Sequence, residues 1–310
     1  MRSEEMIKLL PSGLREVLQK MNLDVAGLQE IRLRAEQPAV ILSHGKEYVS
    51  QTVIHRRQLE ETLAYLGNYS LYAYEEEIRR GYLSLPGGHR VGIAGRVVVE
   101  DGNIRTITAI SSLNLRFAHQ ILGCADEVIP FLWQDGALQS TLIVSPPGKG
   151  KTTMLRDCIR QISNGTLIHP GMTVGLVDER SEIGGSYQGI PQNDVGIRTD
   201  VLDCCSKAEG MVMLLRSMAP QVIAVDEIGN YEDIRAIEMT LNSGCKLLAT
   251  VHGSSIDEIR KKPLLERLMK EHVFERYIIL QKETAGQIGK VQEIYDERGT
   301  CLYQRQRSVC

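Results

Sequence analysis

Apolar and polar positions change rhythm twice along the chain. In GLREVLQKM, residues 13–21, the apolar side chains fall at helical intervals. In EIRLRAEQPAVIL, residues 30–42, Ile31, Leu33 and Ala35 alternate with polar residues, and the apolar run resumes after Pro38 from Ala39 to Leu42. That pattern predicts two short strands joined by a turn. HRRQLEETLAYLGNYSLYAYEEEIRRG, residues 55–81, predicts one or two helices broken at Gly67-Asn68. The following stretch, to Phe117, alternates between turn signals at Pro86-Gly87-Gly88 and Asp101-Gly102, which predicts antiparallel sheet. Residues 1–120 therefore read as a small α+β domain.

From about Leu122 the period changes. ADEVIPFLW (125–133) predicts a helix. After it, short apolar β-branched runs alternate with helical stretches: TLIVS, a helix from Thr152, TVGLVDE, a Gly-rich loop, a helix (SKAEGMVMLLRSM), VIAVDE, a helix (YEDIRAIEMTLNSG) and KLLATVHG. Buried-type strands alternating with helices predict a parallel sheet covered on both faces, so residues 121–310 read as an α/β domain. The tail, YIILQK then VQEIYDERGTCLYQ, predicts a hairpin turning near Glu297-Arg298-Gly299.

Composition changes this picture little. The 310 residues are 43% hydrophobic, enough for a substantial core, and 36 basic against 39 acidic residues leave a net charge of −3. That balance gives no reason to expect a general polyanion binder, so no nucleic-acid partner is expected. The seven cysteines include no CxxC pair, and Cys204 and Cys205 are adjacent, which fits reduced thiols. No signal peptide is expected from MRSEEMIKLLPSGLREVL, and no apolar run reaches the roughly 18 residues of a membrane helix. A cytoplasmic protein is expected, touching a membrane only through partners.

Candidate chemistry sits where apolar runs end. In STLIVSPPGKGKTTMLRDCIRQIS, a buried-type strand is followed by SPPGKGKTT and then a helix carrying Leu155, Cys158, Ile159 and Ile162 on one face. A loop between strand end and helix start aims free N–H groups and the positive end of the helix dipole at phosphate oxygens. Pro147, Gly148, Lys149, Gly150, Lys151, Thr152 and Thr153 would form it. Lys151 would reach the β- and γ-phosphates of ATP, and Thr152 would place its hydroxyl on Mg²⁺. Ser145 stands where the motif has its first glycine. If that position required positive φ, a serine there would cost about 1 kcal/mol or more.

PQVIAVDEIGN ends an apolar strand on Asp226, a ligand of Mg²⁺ through water, and Glu227, which would polarise the attacking water. Its strand and that of the phosphate loop are expected to be able to neighbour each other, and Asn230 fits a helix N-cap. TVGLVDERSEIGG closes another strand with Asp178, Glu179 and Glu182, able to position water or Mg²⁺, with Arg180 for a phosphate. KLLATVHG brings Thr250 and His252 to the end of a fourth strand, His252 as a candidate γ-phosphate sensor.

In order and spacing these four elements resemble the Walker A, Asp box, Walker B and His box of the type II/type IV secretion ATPases. The match is densest through LLRSMAPQVIAVDEIGNYEDIRAIEMTLNSGCKLLATVHG. Within that superfamily, EIRLRAEQPAVIL, GYLSLPGGHRVGIAGRVVVEDG, LNLRFAH and VDERSEIGGSYQG resemble the stage III sporulation protein AA branch. The resemblance covers essentially the whole chain. It implies a RecA-like P-loop ATPase domain behind a smaller N-terminal α+β domain. It also implies a homohexameric ring hydrolysing ATP with Mg²⁺, working against integral-membrane platform proteins at the cytoplasmic face of a membrane, on the mother-cell side of a sporulating bacterium. Glu227 and Glu182 would serve hydrolysis and His252 would sense the γ-phosphate. Arg116 would reach phosphates from the N-terminal domain, with Arg90 and Arg96 behind it and Arg198 facing a neighbouring subunit. The arginine that pilus motors carry after their Walker B acid is absent from Asp226-Glu227-Ile228-Gly229-Asn230. Two other readings compete: a nucleic-acid translocase of the P-loop class, and a nucleotide-binding scaffold without turnover.

Overall fold

A computed structural model describes residues 8–280 and 289–305, with the backbone alone at positions 25 and 73. The last two residues of YIILQK and the first seven of the N-terminus lie outside it. The chain divides into two compact units, Met1–His119 and Gln120–Cys310.

In the first unit the elements run α1 (Ser12–Lys20), β1 (Leu28–Arg34), β2 (Gln37–Ser43), β3 (Lys46–Ile54), α2 (Arg56–Leu66), α3 (Glu75–Arg79), β4 (Tyr82–Leu85), β5 (His89–Glu100) and β6 (Asn103–Arg116). The six strands form one antiparallel sheet in the order β3-β2-β1-β6-β5-β4. Alternation decides its faces. Ile31, Leu33, Ile41, Val91, Leu113 and Leu115 point into a core shared with Leu14, Leu18, Leu59 and Leu63 of the helices, while the charged residues between them point out. α2 ends at Leu66, and the break expected at Gly67-Asn68 is real: a 3₁₀ turn and the short α3 follow.

The second unit contains the hairpin β7 (Trp133–Gln134)–β8 (Ala137–Leu138), then β9 (Thr141–Ser145), α4 (Lys151–Asn164), β10 (Val174–Asp178) and β11 (Thr199–Asp203). They are followed by α5 (Lys207–Ser217), β12 (Val222–Val225), α6 (Tyr231–Asn242), β13 (Lys246–His252), α7 (Ile256–Arg260), α8 (Pro263–Lys270), β14 (Arg276–Leu280), β15 (Val291–Asp296) and β16 (Cys301–Gln304). The eight-stranded sheet has the order β11-β10-β12-β13-β9-β14-β15-β16. It is parallel from β11 to β14 and antiparallel beyond. Every residue of β9, β10, β12 and β14 is buried, as continuous apolar strands in a doubly covered sheet must be. One face packs on Met154, Leu155, Cys158, Ile159 and Ile162 of α4, and the other on Met211, Leu214, Ile234, Ile237 and Leu268 of α5, α6 and α8. Each such aliphatic side chain contributes about 1.5–3 kcal/mol by leaving water. The described cysteines are free thiols.

Three expectations are corrected. ADEVIPFLW is not an α-helix but turns ending in a 3₁₀ segment, Ile129–Leu132, with Pro130 at its start. The Gly-rich stretch after β10 ends in a strand, β11, that the pattern did not announce. The strands of the phosphate loop and of Asp226 are not neighbours, because β13 lies between β9 and β12.

Candidate nucleotide site

Parallel strands end on the same edge, so β9, β10, β12 and β13 deliver their C-terminal residues to one crevice of the second unit. After β9 the backbone turns through Gly148 (φ 71°) and Gly150 (φ 90°), and Gly150 is the N-cap of α4. Left-handed backbone at both points is what glycine permits and a side chain resists. Nothing lies within 4 Å of where a Cβ would project from Gly148, so the loop is open on that side. Pro147 and Gly148 are exposed, and Lys149, Gly150, Thr152 and Thr153 are half-buried. The tail of the sheet braces the loop, since Gly289 donates its N–H to the Lys149 carbonyl at 3.1 Å.

Ser145 is the final residue of β9, fully buried, without left-handed backbone, and in register with His252. Its carbonyl accepts the Gly253 N–H, and its hydroxyl donates to the Pro146 carbonyl at 3.0 Å. The strain a serine would bring to a positive-φ position does not arise.

Lys151 opens α4 with its side chain buried. Its Nζ stands 3.4 Å from His252 Nε2 and 3.5 Å from Glu227 Oε2, and His252 Nε2 lies 3.2 Å from Glu227 Oε1. His252 Nδ1 is buried without a partner. Thr152 donates its hydroxyl to Asp226 Oδ2 at 3.1 Å. The Thr250 hydroxyl donates to Asp226 Oδ1 and accepts the Glu227 N–H at 2.9 Å. That N–H is held with Glu227 in left-handed backbone, φ 43°. A non-glycine residue there costs on the order of 1–3 kcal/mol and persists only where its surroundings over-determine it. Burial alone would raise the Glu227 carboxyl, but the charges of Lys151, His252 and Arg180 outweigh it and leave the group below its ordinary range. Near neutral pH it is an ionised acceptor.

The Asp box faces the same crevice. Glu182, Glu179, Arg180 and Lys207 line a cleft of about 230 Å³ together with Asp226 and Glu227. Glu179 pairs with Lys207. Asp178 does not face solvent: its carboxylate accepts the N–H groups of Glu182, Ile183 and Gly184 at 2.9, 3.0 and 2.8 Å. Burial pushes it up to about 6, against the pull of those donors and helped by the charge of Asp203. Asn230 caps α6 by accepting the Asp233 N–H at 2.8 Å, and Asp233 returns bonds to the N–H groups of Gly229 and Asn230.

Arg198 caps the far end of α4, donating to the carbonyls of Ser163 and Asn164 at 3.0 and 3.4 Å, where a cation meets the negative pole of the helix. Arg116 is exposed at the end of β6, in register with Glu30 and Arg90, and the Arg90 guanidinium sits 3.6 Å from the Tyr82 ring centroid. Arg96 is exposed further along β5. These three belong to the first unit.

Pattern reading missed three contributors: the bridging role of the Thr250 hydroxyl, the Gly289 N–H and Arg156. Arg156 directly follows Leu155 in α4, and no pattern of side-chain types announced it. It is buried, donating from Nε to the Ile183 carbonyl at 2.5 Å and from a terminal nitrogen to the Glu182 carbonyl at 2.6 Å.

A cation-ready hydroxyl, a carboxylate beside it, a lysine and a glycine-rich helix N-terminus fit Mg²⁺-bound nucleoside triphosphate. The comparisons with known proteins agree in kind. The sequence model of the family "Sporulation stage III, protein AA" matches residues 1–302. The stage III sporulation protein AA of Bacillus subtilis (strain 168) is 41% identical over 299 residues, 96% of either chain. Among solved structures, the Legionella pneumophila ATPase DotB superposes with a TM-score of 0.62 at 16% identity, covering 93% of this chain and 81% of its own. The pilus retraction motor PilT with bound ADP gives 0.55 at 16% identity, covering 86% and 76%. At that identity the two structures speak for the fold, a RecA-like ATPase fold.

Proposed function

Because this chain belongs to the stage III sporulation protein AA family, we propose that it is an ATP-hydrolysing motor of the secretion-ATPase type. In this reading it works as a homohexameric ring at the cytoplasmic face of a membrane, against integral-membrane platform proteins, in transport between mother cell and forespore. The observation that carries it is the meeting of Lys151, Thr152, Asp226 and Glu227 at one sheet edge. No helix among the described residues is long and apolar enough to cross a membrane, so partners would supply the anchor.

Each residue has a task its position supports. The N–H groups at the start of α4 and the Lys151 ammonium bind the phosphates, the former through the helix dipole. Thr152 and Asp226 would hold Mg²⁺, which would supply charge neutralisation on the phosphate oxygens. Glu227, ionised and fixed at its backbone by Thr250, orients and deprotonates water. Glu182 adds a second carboxylate in the same cleft, and His252, touching both Lys151 and Glu227, reports on the γ-phosphate position. Arg116 is the candidate that adds positive charge from the first unit.

The test is ATP turnover by wild type and Glu227→Gln across a protein-concentration series, with light scattering alongside. Turnover that rises with assembly, and is at least ~100-fold slower in the variant, supports the reading. Tight Mg-ATP binding without turnover would favour a scaffold. Stimulation by single-stranded DNA with steep salt dependence would favour a translocase.

A further inference from the structure

Two successive peptide groups of the Asp-box loop are gripped from both sides by opposite charges. In the peptide joining Glu182 to Ile183, the C=O accepts from Arg156 and the N–H donates to Asp178. In the next, joining Ile183 to Gly184, the C=O again accepts from Arg156 and the N–H again donates to Asp178. The N–H of Glu182 itself completes the carboxylate's set at 2.9 Å, and Asn193 adds a bond to the Ile183 carbonyl, also at 2.9 Å. Bonds to an ionised partner are about twice as strong as neutral ones, and the planar guanidinium fork fixes direction as well as distance. Arg156 and Asp178 are both buried, at 8% and 1% exposure. Holding two charges there is costly, and an apolar pair would pack as well. The fork is spent on backbone that carries one cleft residue, Glu182.

The anchor points matter as much as the bonds. Asp178 closes β10 and is fixed in the sheet. Arg156 rides on α4, four residues after Thr152, so both lie on the same helical stripe in consecutive turns. The turn of α4 that offers Lys151 and Thr152 to a phosphate and its cation is therefore the turn next to the one that grips the Glu182 backbone.

We propose that Arg156 is a positioning residue that ties the phosphate-binding helix to Glu182, so that nucleotide contacts at the start of α4 set where the Glu182 carboxylate stands. This rests on the ATPase reading of the site. Arg156 donates to main-chain carbonyls. It acts through the peptide plane, and lysine, with a single ammonium, serves one carbonyl well and two poorly.

The test is a cycle of Arg156→Gln, Glu182→Gln and the double variant, with Mg-ATP binding measured by calorimetry and turnover at saturating ATP. Arg156→Gln is expected to lower kcat about 10- to 100-fold, the size of a misplacement on the order of 1 Å, with Kd changed less than ~3-fold. In the Glu182→Gln background the same substitution is expected to cost no more than ~2-fold further, because residues acting as a unit are not additive. Independent, multiplying losses would overturn the proposal, as would Glu182→Gln at wild-type rate. Arg156→Lys, which keeps the charge if Arg156→Gln folds poorly, is expected to recover part of kcat; a lysine variant no better than glutamine overturns it. Hydrogen exchange separates this from failure of the motor reading. In wild-type protein, Mg-ATP is expected to raise protection of the Glu182, Ile183 and Gly184 amides even if turnover is absent, and Arg156→Gln is expected to bind Mg-ATP without that response. A response kept in the variant, or absent in a wild type that binds Mg-ATP, refutes the coupling.

Discussion

The backbone N–H of Glu227 ends on the hydroxyl of Thr250, 2.9 Å away, and the same hydroxyl donates onward to Asp226. One side chain on β13 thereby holds both acids of the β12 end, and fixes Glu227 in a left-handed conformation it would otherwise leave. Thr250→Val keeps the shape and removes the hydroxyl. Leaving a buried N–H unpaired costs about 1–3 kcal/mol, so a lower melting temperature is expected together with at least ~10-fold slower ATP turnover. Thermal denaturation and a phosphate-release assay on the same preparation check it. A valine variant unchanged in both would mean that Glu227 is placed by something else.

Lys151→Ala removes the cation at the start of α4 and leaves Glu227 with His252 and the charge of Arg180. Mg-ATP binding is expected to fall below detection in calorimetry. The Glu227 carboxyl, released from its nearest full charge, is expected to titrate higher than in wild type. Affinity equal to wild type would refute the phosphate-loop assignment.

Ser145→Gly restores the consensus residue but not a better site. Its backbone is strand, where glycine costs about 0.5–1 kcal/mol, and its hydroxyl bond is lost. The expected result is unchanged nucleotide affinity, within ~2-fold, with slightly lower stability. Affinity that rises several-fold in the glycine variant would show that the serine does limit the loop.

Asp178, pushed up to about 6, keeps a proton in the folded chain that the unfolded chain releases near 4. The folded state binds more protons between those values. This group's contribution to stability is therefore full below about pH 4 and is lost as pH rises through about 6, by on the order of 3 kcal/mol. The carboxyl carbon resonance of Asp178 is expected to titrate near 6, and a midpoint at or below 4 would contradict the burial argument.

Where the sequence was legible, the reason is physical. β9, β10 and β12 are buried on both faces, so apolar runs ending abruptly in Ser145, Asp178 and Asp226 betray both the sheet and its functional edge. β11 escaped because an edge strand is half-exposed along its length and TDVLD has no apolar run to show. The segment 125–133 misled in an instructive way. Ala125, Val128, Ile129 and Leu132 are all buried, as helical spacing requires, yet Pro130 admits only a short 3₁₀ turn. Strand adjacency was not legible at all, since chain order places β12 before β13 without saying which of them touches β9. Nor was Arg156, whose partners are main-chain carbonyls about thirty residues away and leave no pattern in side-chain types.

The interposed strand carries a mechanical consequence. β9, which delivers the lysine, and β12, which delivers the acid, exchange no hydrogen bonds with each other; each is laced only to β13 on the side where they approach. Any sliding of the lysine-bearing half of the crevice against the carboxylate-bearing half must therefore shear one of two ladders on the same strand. Thr250 and His252 sit at the end of that strand like the pin of a caliper. The gap between the two strand ends is set by the width of two strand spacings, about 10 Å, and adjustment is left to the side chains that reach across it.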